Sequence, residues 1–86
     1  MTVYVDSANI PYRNMIMCHM VADTTEELLQ MAEKIGVQTK WIQKKGTRHE
    51  HFDISKGKKL IAIKNGAIEI NRKQMGHFLK YGNINA

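Results

Sequence analysis

Absences narrow this chain before any motif does. A single cysteine, Cys18, excludes an intrachain disulfide framework and suits a reducing compartment. No apolar run approaches the roughly 18 residues that a membrane-spanning helix needs. The segment Met1-Thr2-Val3-Tyr4-Val5-Asp6 has no basic stretch followed by an apolar one, so no secretory leader is expected there. These three absences lead to the expectation of a cytoplasmic protein without a membrane partner. The one proline, Pro11, is expected to end any regular element where it falls. Gly46 and Gly57 stand isolated, so there is neither a P-loop nor a G-x-G-x-x-G turn. Histidine and cysteine spacing fits no established zinc pattern. Repeats, linkers and low-complexity tracts are missing as well.

What remains is 86 residues, 43% hydrophobic and 24% charged, enough for one domain with one modest core. The net charge of +5 favours anionic partners. Its distribution is uneven. Lys44, Lys45, Arg48, Lys56, Lys58 and Lys59 crowd one segment, opposed there only by Glu50 and Asp53.

Hydrophobic periodicity gives an alternation of strands and helices. Residues 2–6 read as a buried first strand ending at Asp6. Residues 14–21 show no clean period, which suggests a packed irregular segment or a short strand. Three of the six methionines lie here, and core filling explains them better than a soft-metal site. Asp23-Thr24-Thr25-Glu26 starts a helix, with Asp23 as its expected cap, and Gly36 ends it. Val37 to Gln43 reads as a second strand with Trp41 in the core. A second helix is capped by Ser55 or Asp53, anchored by Leu60, Ile61 and Ile63, and stopped at Asn65-Gly66. Ala67 to Ile70 forms a third strand, and Asn71 with Gln74 opens a third helix whose apolar face is Met75, Phe78 and Leu79. The expected fold is a small α/β domain of two or three layers. Its sheet is mainly parallel with about three strands, and it carries two to three helices.

In open α/β sheets, ligands sit beyond the carboxyl ends of the strands. That rule would gather Asp6, the 44–53 segment, Asn71 and Arg72, and the helix starts at Asp23 and Ser55, along one rim. His19 falls just before the first helix. Helix N-termini beside Lys and Arg suit phosphate. The expected ligand is therefore a nucleotide or a nucleotide-derived molecule. Lys45, Arg48 and Lys59 would meet phosphate, and Asp6 and Asp23 would complete the binding set. His19, His51 and Asp53 would carry any catalysis, with Asp53 orienting His51 or capping the helix. Whether the chain is an enzyme stays open at this point.

The alternative is a phosphoesterase or nuclease using the same histidines and acids around a divalent metal. Nucleic acid is the second partner class, because basic residues flank Trp41 and Phe52. The helix spacing is not that of a helix-turn-helix. Homodimerisation is compatible with the methionine-rich segment. Cys18 adjoins His19, but neighbouring strand residues point apart, so Cys18 is a poor nucleophile candidate.

A resemblance accompanies this reading. Tyr4-Val5-Asp6, Cys18-His19-Met20, Ala22-Asp23, Glu27-Leu28, Gly36, Trp41-Ile42-Gln43, His51-Phe52-Asp53-Ile54, Ala62-Ile63 and Gly66-Ala67 resemble the DUF4031 family of domains of unknown function. That family occurs in bacteria and their phages. It typically shows Ser-His-Leu at 18–20, Trp-Phe-Gln at 41–43 and His-Tyr-Asp at 51–53. The resemblance implies that His19, Asp23, His51 and Asp53 belong to a shared pattern, and it implies no substrate. Phe52 lacks the phenolic hydroxyl of the usual tyrosine. A phage-type inhibitor of a host protein or nucleic acid is the third class the resemblance raises.

Overall fold

A computed structural model describes residues 2–85. The elements run β1 (Val3–Asp6), β2 (Ile10–Tyr12), β3 (Met15–Ala22), α1 (Thr25–Ile35), a single 3-10 turn (Thr39–Trp41), β4 (Phe52–Ser55), α2 (Lys56–Lys64), β5 (Ile68–Ile70) and α3 (Arg72–Tyr81). The five strands form one mixed sheet around β3, which pairs with β1, β2 and β4, while β5 lies beyond β1. Helix and strand mix as expected. A mainly parallel sheet does not form: among the described residues only β1–β5 is parallel, and β1–β3, β2–β3 and β3–β4 are antiparallel.

The physical reason lies in a two-residue turn. Arg13 and Asn14 reverse the chain between Tyr12 and Met15, which are register partners. A connection that short can join only antiparallel strands. Arg13 takes a left-handed backbone, φ 56°, a conformation more often given to glycine or asparagine. Pro11 therefore does not end regular structure. It lies within β2, an edge strand where its missing N–H costs no ladder bond.

Two apolar layers sandwich the sheet. On one face Val3, Val5, Cys18, Met20, Ala22, Phe52 and Ile54 meet Leu28, Met31, Ala32 and Ile35 of α1 and Ala62 of α2. On the other, Tyr4, Val21 and Ile70 meet Met75 and Phe78 of α3. The parity of each strand assigns these faces, since successive side chains alternate. β3 lacked a clean period because its first half is an exposed hairpin arm and its second half is covered on both sides.

Local chemistry sets the helix ends. Thr24, not Asp23, caps α1 by accepting from the Glu27 N–H, because the Asp23 carboxylate accepts from the Thr2 N–H at 2.9 Å. Gly36, φ 81°, ends that helix in the left-handed region. Ser55 caps α2 and Asn71 completes a capping box on α3 with Gln74. The second strand expected at 37–43 does not form. The chain makes a 3-10 turn there, Gln43 joins His51 in an isolated bridge, and Trp41 is 63% exposed rather than in the core. Val37 and Ile42 alone of that segment pack against the main core. α2 also sits differently from expectation: Lys59 and Ala62 turn inward while Leu60, Ile61 and Ile63 are exposed. Ser55 is both the last strand residue and the cap, so no loop remains to rotate the helix and β4 sets its phase. No helix among the described residues is long and apolar enough to cross a membrane.

Candidate functional site

Strand parity and register place the polar side chains together. Val5 pairs with Met20, so Asp6 falls opposite His19. His19 pairs with Asp53 in β4, and His51 shares the parity of Asp53. All four residues therefore belong to the sheet face that α3 covers.

Asp6 is 4% exposed and is the anchor of the group. Its Oδ1 accepts from the backbone N–H of His19 at 2.8 Å and of Ala8 at 3.3 Å. Its Oδ2 lies 2.7 Å from His19 Nδ1. A carboxylate only accepts, so the proton of a neutral His19 belongs on Nδ1, which leaves a lone pair on Nε2. His51 is arranged the same way: its Nδ1 donates to the carbonyl of His49 at 2.8 Å. The two rings stand edge to face with centroids 5.6 Å apart.

Asp53 lies beside both rings. Its Oδ1 is 3.5 Å from His51 Nε2 and 3.9 Å from His19 Nε2, beyond ordinary hydrogen-bond length. Its Oδ2 accepts from Gln43 Nε2 at 2.7 Å. Two ring lone pairs and a carboxylate oxygen thus face a common gap. A proton on either Nε2 turns an acceptor–acceptor contact into a donor–acceptor one.

A cleft of about 580 Å³ opens over Asp6, His19 and His51. Ser7 to Ile10 form one wall, and Arg72, Met75, Gly76 and Leu79 of α3 form the other. Arg72 is the first residue of α3, so the cleft wall takes in the N-terminus of that helix. Sequence reasoning placed Arg72 at the end of the third strand but passed over it as a ligand. The signal was there: β5 is parallel to β1, so the carboxyl-end rule holds for this one pair.

The other expected ligand residues lie elsewhere. Asp23 follows β3 and its carboxylate holds Thr2, four strand positions and roughly 13 Å from His19 at ~3.3 Å per residue. An antiparallel pairing of β1 with β3 sends their carboxyl ends to opposite edges, which is why Asp6 and Asp23 part. Lys45 is exposed in the 44–47 loop. Arg48 donates to the carbonyl of Lys80 at 2.7 Å, in the last turn of α3. Lys59 is buried against the Glu69 carboxylate. None of these four lines the cleft. Asp53 does not cap a helix; it stands in β4. Cys18 faces away from His19 into the core, and burial pushes its thiol up to about 11. Gln43, Ser7 and Asn9 are polar members of the site that periodicity had no means of flagging.

Among the described residues, no three His, Cys, Asp or Glu side chains are grouped so as to hold a metal ion.

Neither a curated protein nor a solved structure gives a match to this chain. The family model described as a protein of unknown function (DUF4031) matches residues 3–81, from β1 through the last residue of α3. That span includes Asp6, His19, His51, Asp53 and Arg72, and on it the chain belongs to the DUF4031 family.

Proposed function

We propose that this domain binds a phosphate-bearing small molecule, a nucleotide or a derivative of one, in the cleft between its sheet and α3. The observation that supports this most is Arg72 at the N-terminus of α3, across the cleft from a histidine fixed by a buried aspartate. Backbone N–H groups at a helix start favour an anion, and Arg offers a two-point grip on phosphate. The apolar lining of Ile10, Val21, Met75 and Leu79 suits a base. Net charge of +5 raises the local concentration of such anions. A reduced, buried Cys18 accords with a cytoplasmic setting.

Thermal denaturation with nucleoside mono-, di- and triphosphates and with inorganic phosphate tests the reading. Ligand at a hundred times its Kd stabilises the folded state by about 2.7 kcal/mol. Arg72→Ala should abolish the shift while its own melting temperature stays near that of the parent. A flat response of the parent protein to every nucleotide would rule the proposal out.

A metal-dependent phosphoesterase is the second reading. Histidines that ligate metal also donate their other ring N–H to a carboxylate or a carbonyl, as His19 and His51 do. Divalent ions added to the same titration, with and without chelator, separate the two readings.

A further inference from the structure

We infer that the cleft is built for metal-independent transesterification of a ribonucleotide phosphodiester, with His19 as base, His51 as acid and the substrate's own 2′-hydroxyl as nucleophile. This rests on the phosphate-binding reading above and names its substrate class and chemistry.

Three observations carry it. The first is the pair of imidazoles. Both line one cleft, both have Nδ1 committed to a protein acceptor, and their rings are 5.6 Å apart. That is close enough for both to work on one phosphodiester. A ring with Nδ1–H fixed uses a single atom, Nε2, as base when neutral and as acid when protonated. Asp53 Oδ1 lies 3.5 Å from His51 Nε2 and 3.9 Å from His19 Nε2, so both working nitrogens face one gap. With one ring neutral and the other protonated, the pair supplies one base and one acid.

The second observation decides which ring does which. His19 holds the buried Asp6 carboxylate on Nδ1, whereas His51 holds a backbone carbonyl. A carboxylate stabilises the imidazolium that forms as a base takes up a proton, so His19 is the base. Gln43 holds Asp53 beside the His51 ring through its 2.7 Å bond, with Oδ1 3.5 Å from Nε2.

The third is the missing nucleophile. Among the described residues no hydroxyl or thiol is hydrogen-bonded to His19 Nε2, and Cys18 is buried on the opposite face. The attacking group must come from the ligand or from water. A 2′-hydroxyl is tethered next to its phosphorus and needs no separate capture. Arg72 supplies the cation that the phosphoryl oxygens need as charge develops on them.

The step balances as follows. His19 Nε2 takes the proton of the 2′-hydroxyl while that oxygen bonds to phosphorus. The bond from phosphorus to the 5′-oxygen breaks, and His51 Nε2–H gives its proton to the leaving oxygen. The products are a 2′,3′-cyclic phosphate and a 5′-hydroxyl. The two rings have exchanged protonation states, and solvent water resets them.

The test uses the whole protein with a ribodinucleotide, its 2′-deoxy counterpart and a chelator, with products read by mass spectrometry. The expected result is a cyclic phosphate from the ribo compound alone, unaffected by chelator, with a bell-shaped pH profile. His19→Ala and His51→Ala should each lose about a hundredfold or more in rate. Both should still unfold cooperatively without ligand near the melting temperature of the parent, which shows that they fold. Cleavage of the deoxy compound, cleavage stopped by chelator, or cleavage that survives His19→Ala would each overturn the inference. No cleavage with nucleotide binding intact also overturns it and leaves the binding proposal standing. Loss of binding in the parent protein removes both.

Discussion

Asp6 does more than any other single residue to define the site. Its two oxygens hold the His19 ring, the His19 backbone and the turn at Ala8, so one side chain ties β1 to β3 and to the cleft wall. Asp6→Asn replaces one acceptor oxygen with an NH₂ donor. The expected outcome is a tautomer flip of His19, with the proton moving to Nε2, seen as exchanged ring ¹⁵N shifts. Stability should fall by about 2 kcal/mol in urea, the usual size for hydrogen bonds to a charged group. Cys18 gives a separate prediction at this scale. Burial raises its thiol to about 11 from an ordinary 9.0. The folded state therefore holds the thiol proton more tightly than the unfolded chain does. Stability is at its full value below pH 9 and declines as pH rises from there toward 11. In native protein at pH 8, Cys18 should react with an alkylating reagent only at the rate of unfolding.

At the scale of elements, capping and turn chemistry set the frame of the cleft. The Asn71 side chain accepts from the Gln74 N–H and Gln74 returns the bond, which fixes where α3 begins and hence where Arg72 stands. Asn71→Ala should cost about 1 kcal/mol in a denaturant melt, and it should weaken nucleotide binding without touching a ligand-contacting group. The β2–β3 hairpin turns on a strained residue. Arg13→Gly relieves about 1 kcal/mol of left-handed strain and loses a guanidinium–Tyr12 contact of roughly half that size. A net gain of about half a kcal/mol is expected from urea titration. The helix end marked by glycine at Gly36 was legible in the sequence, because positive φ selects that residue. The hairpin was not legible: nothing in Tyr12-Arg13-Asn14-Met15 announces a tight turn as strongly as Asn-Gly would.

For the molecule as a whole, sheet order decides which polar residues meet. The basic cluster at 44–59 disperses into an exposed loop, a brace on α3 and a buried pair with Glu69. Trp41 reports on this arrangement directly. It is 63% exposed with Lys40 5.2 Å from its ring centre. Its emission should be red-shifted in the native state, open to quenching by iodide, and nearly unchanged on unfolding. A blue-shifted, protected tryptophan would mean that the 37–43 segment packs as the strand its apolar residues suggested.

Residue types and short-range spacing were enough to point to a small α/β chain with three helices, and to nominate His19, His51, Asp53 and Asp6 as site candidates. These follow from local rules, since capping, helical period and strand parity operate over a few residues. The direction of the strands, the burial of Lys59, the exposure of Trp41 and the place of Arg72 in the cleft wall were settled only by the tertiary structure. Each depends on which strand lies beside β3, and a pairing across the chain is chosen by the packing of both sheet faces at once. That choice brings Asp6 and His19 into contact and carries Asp23 to the far edge, though all three residues looked alike from the sequence.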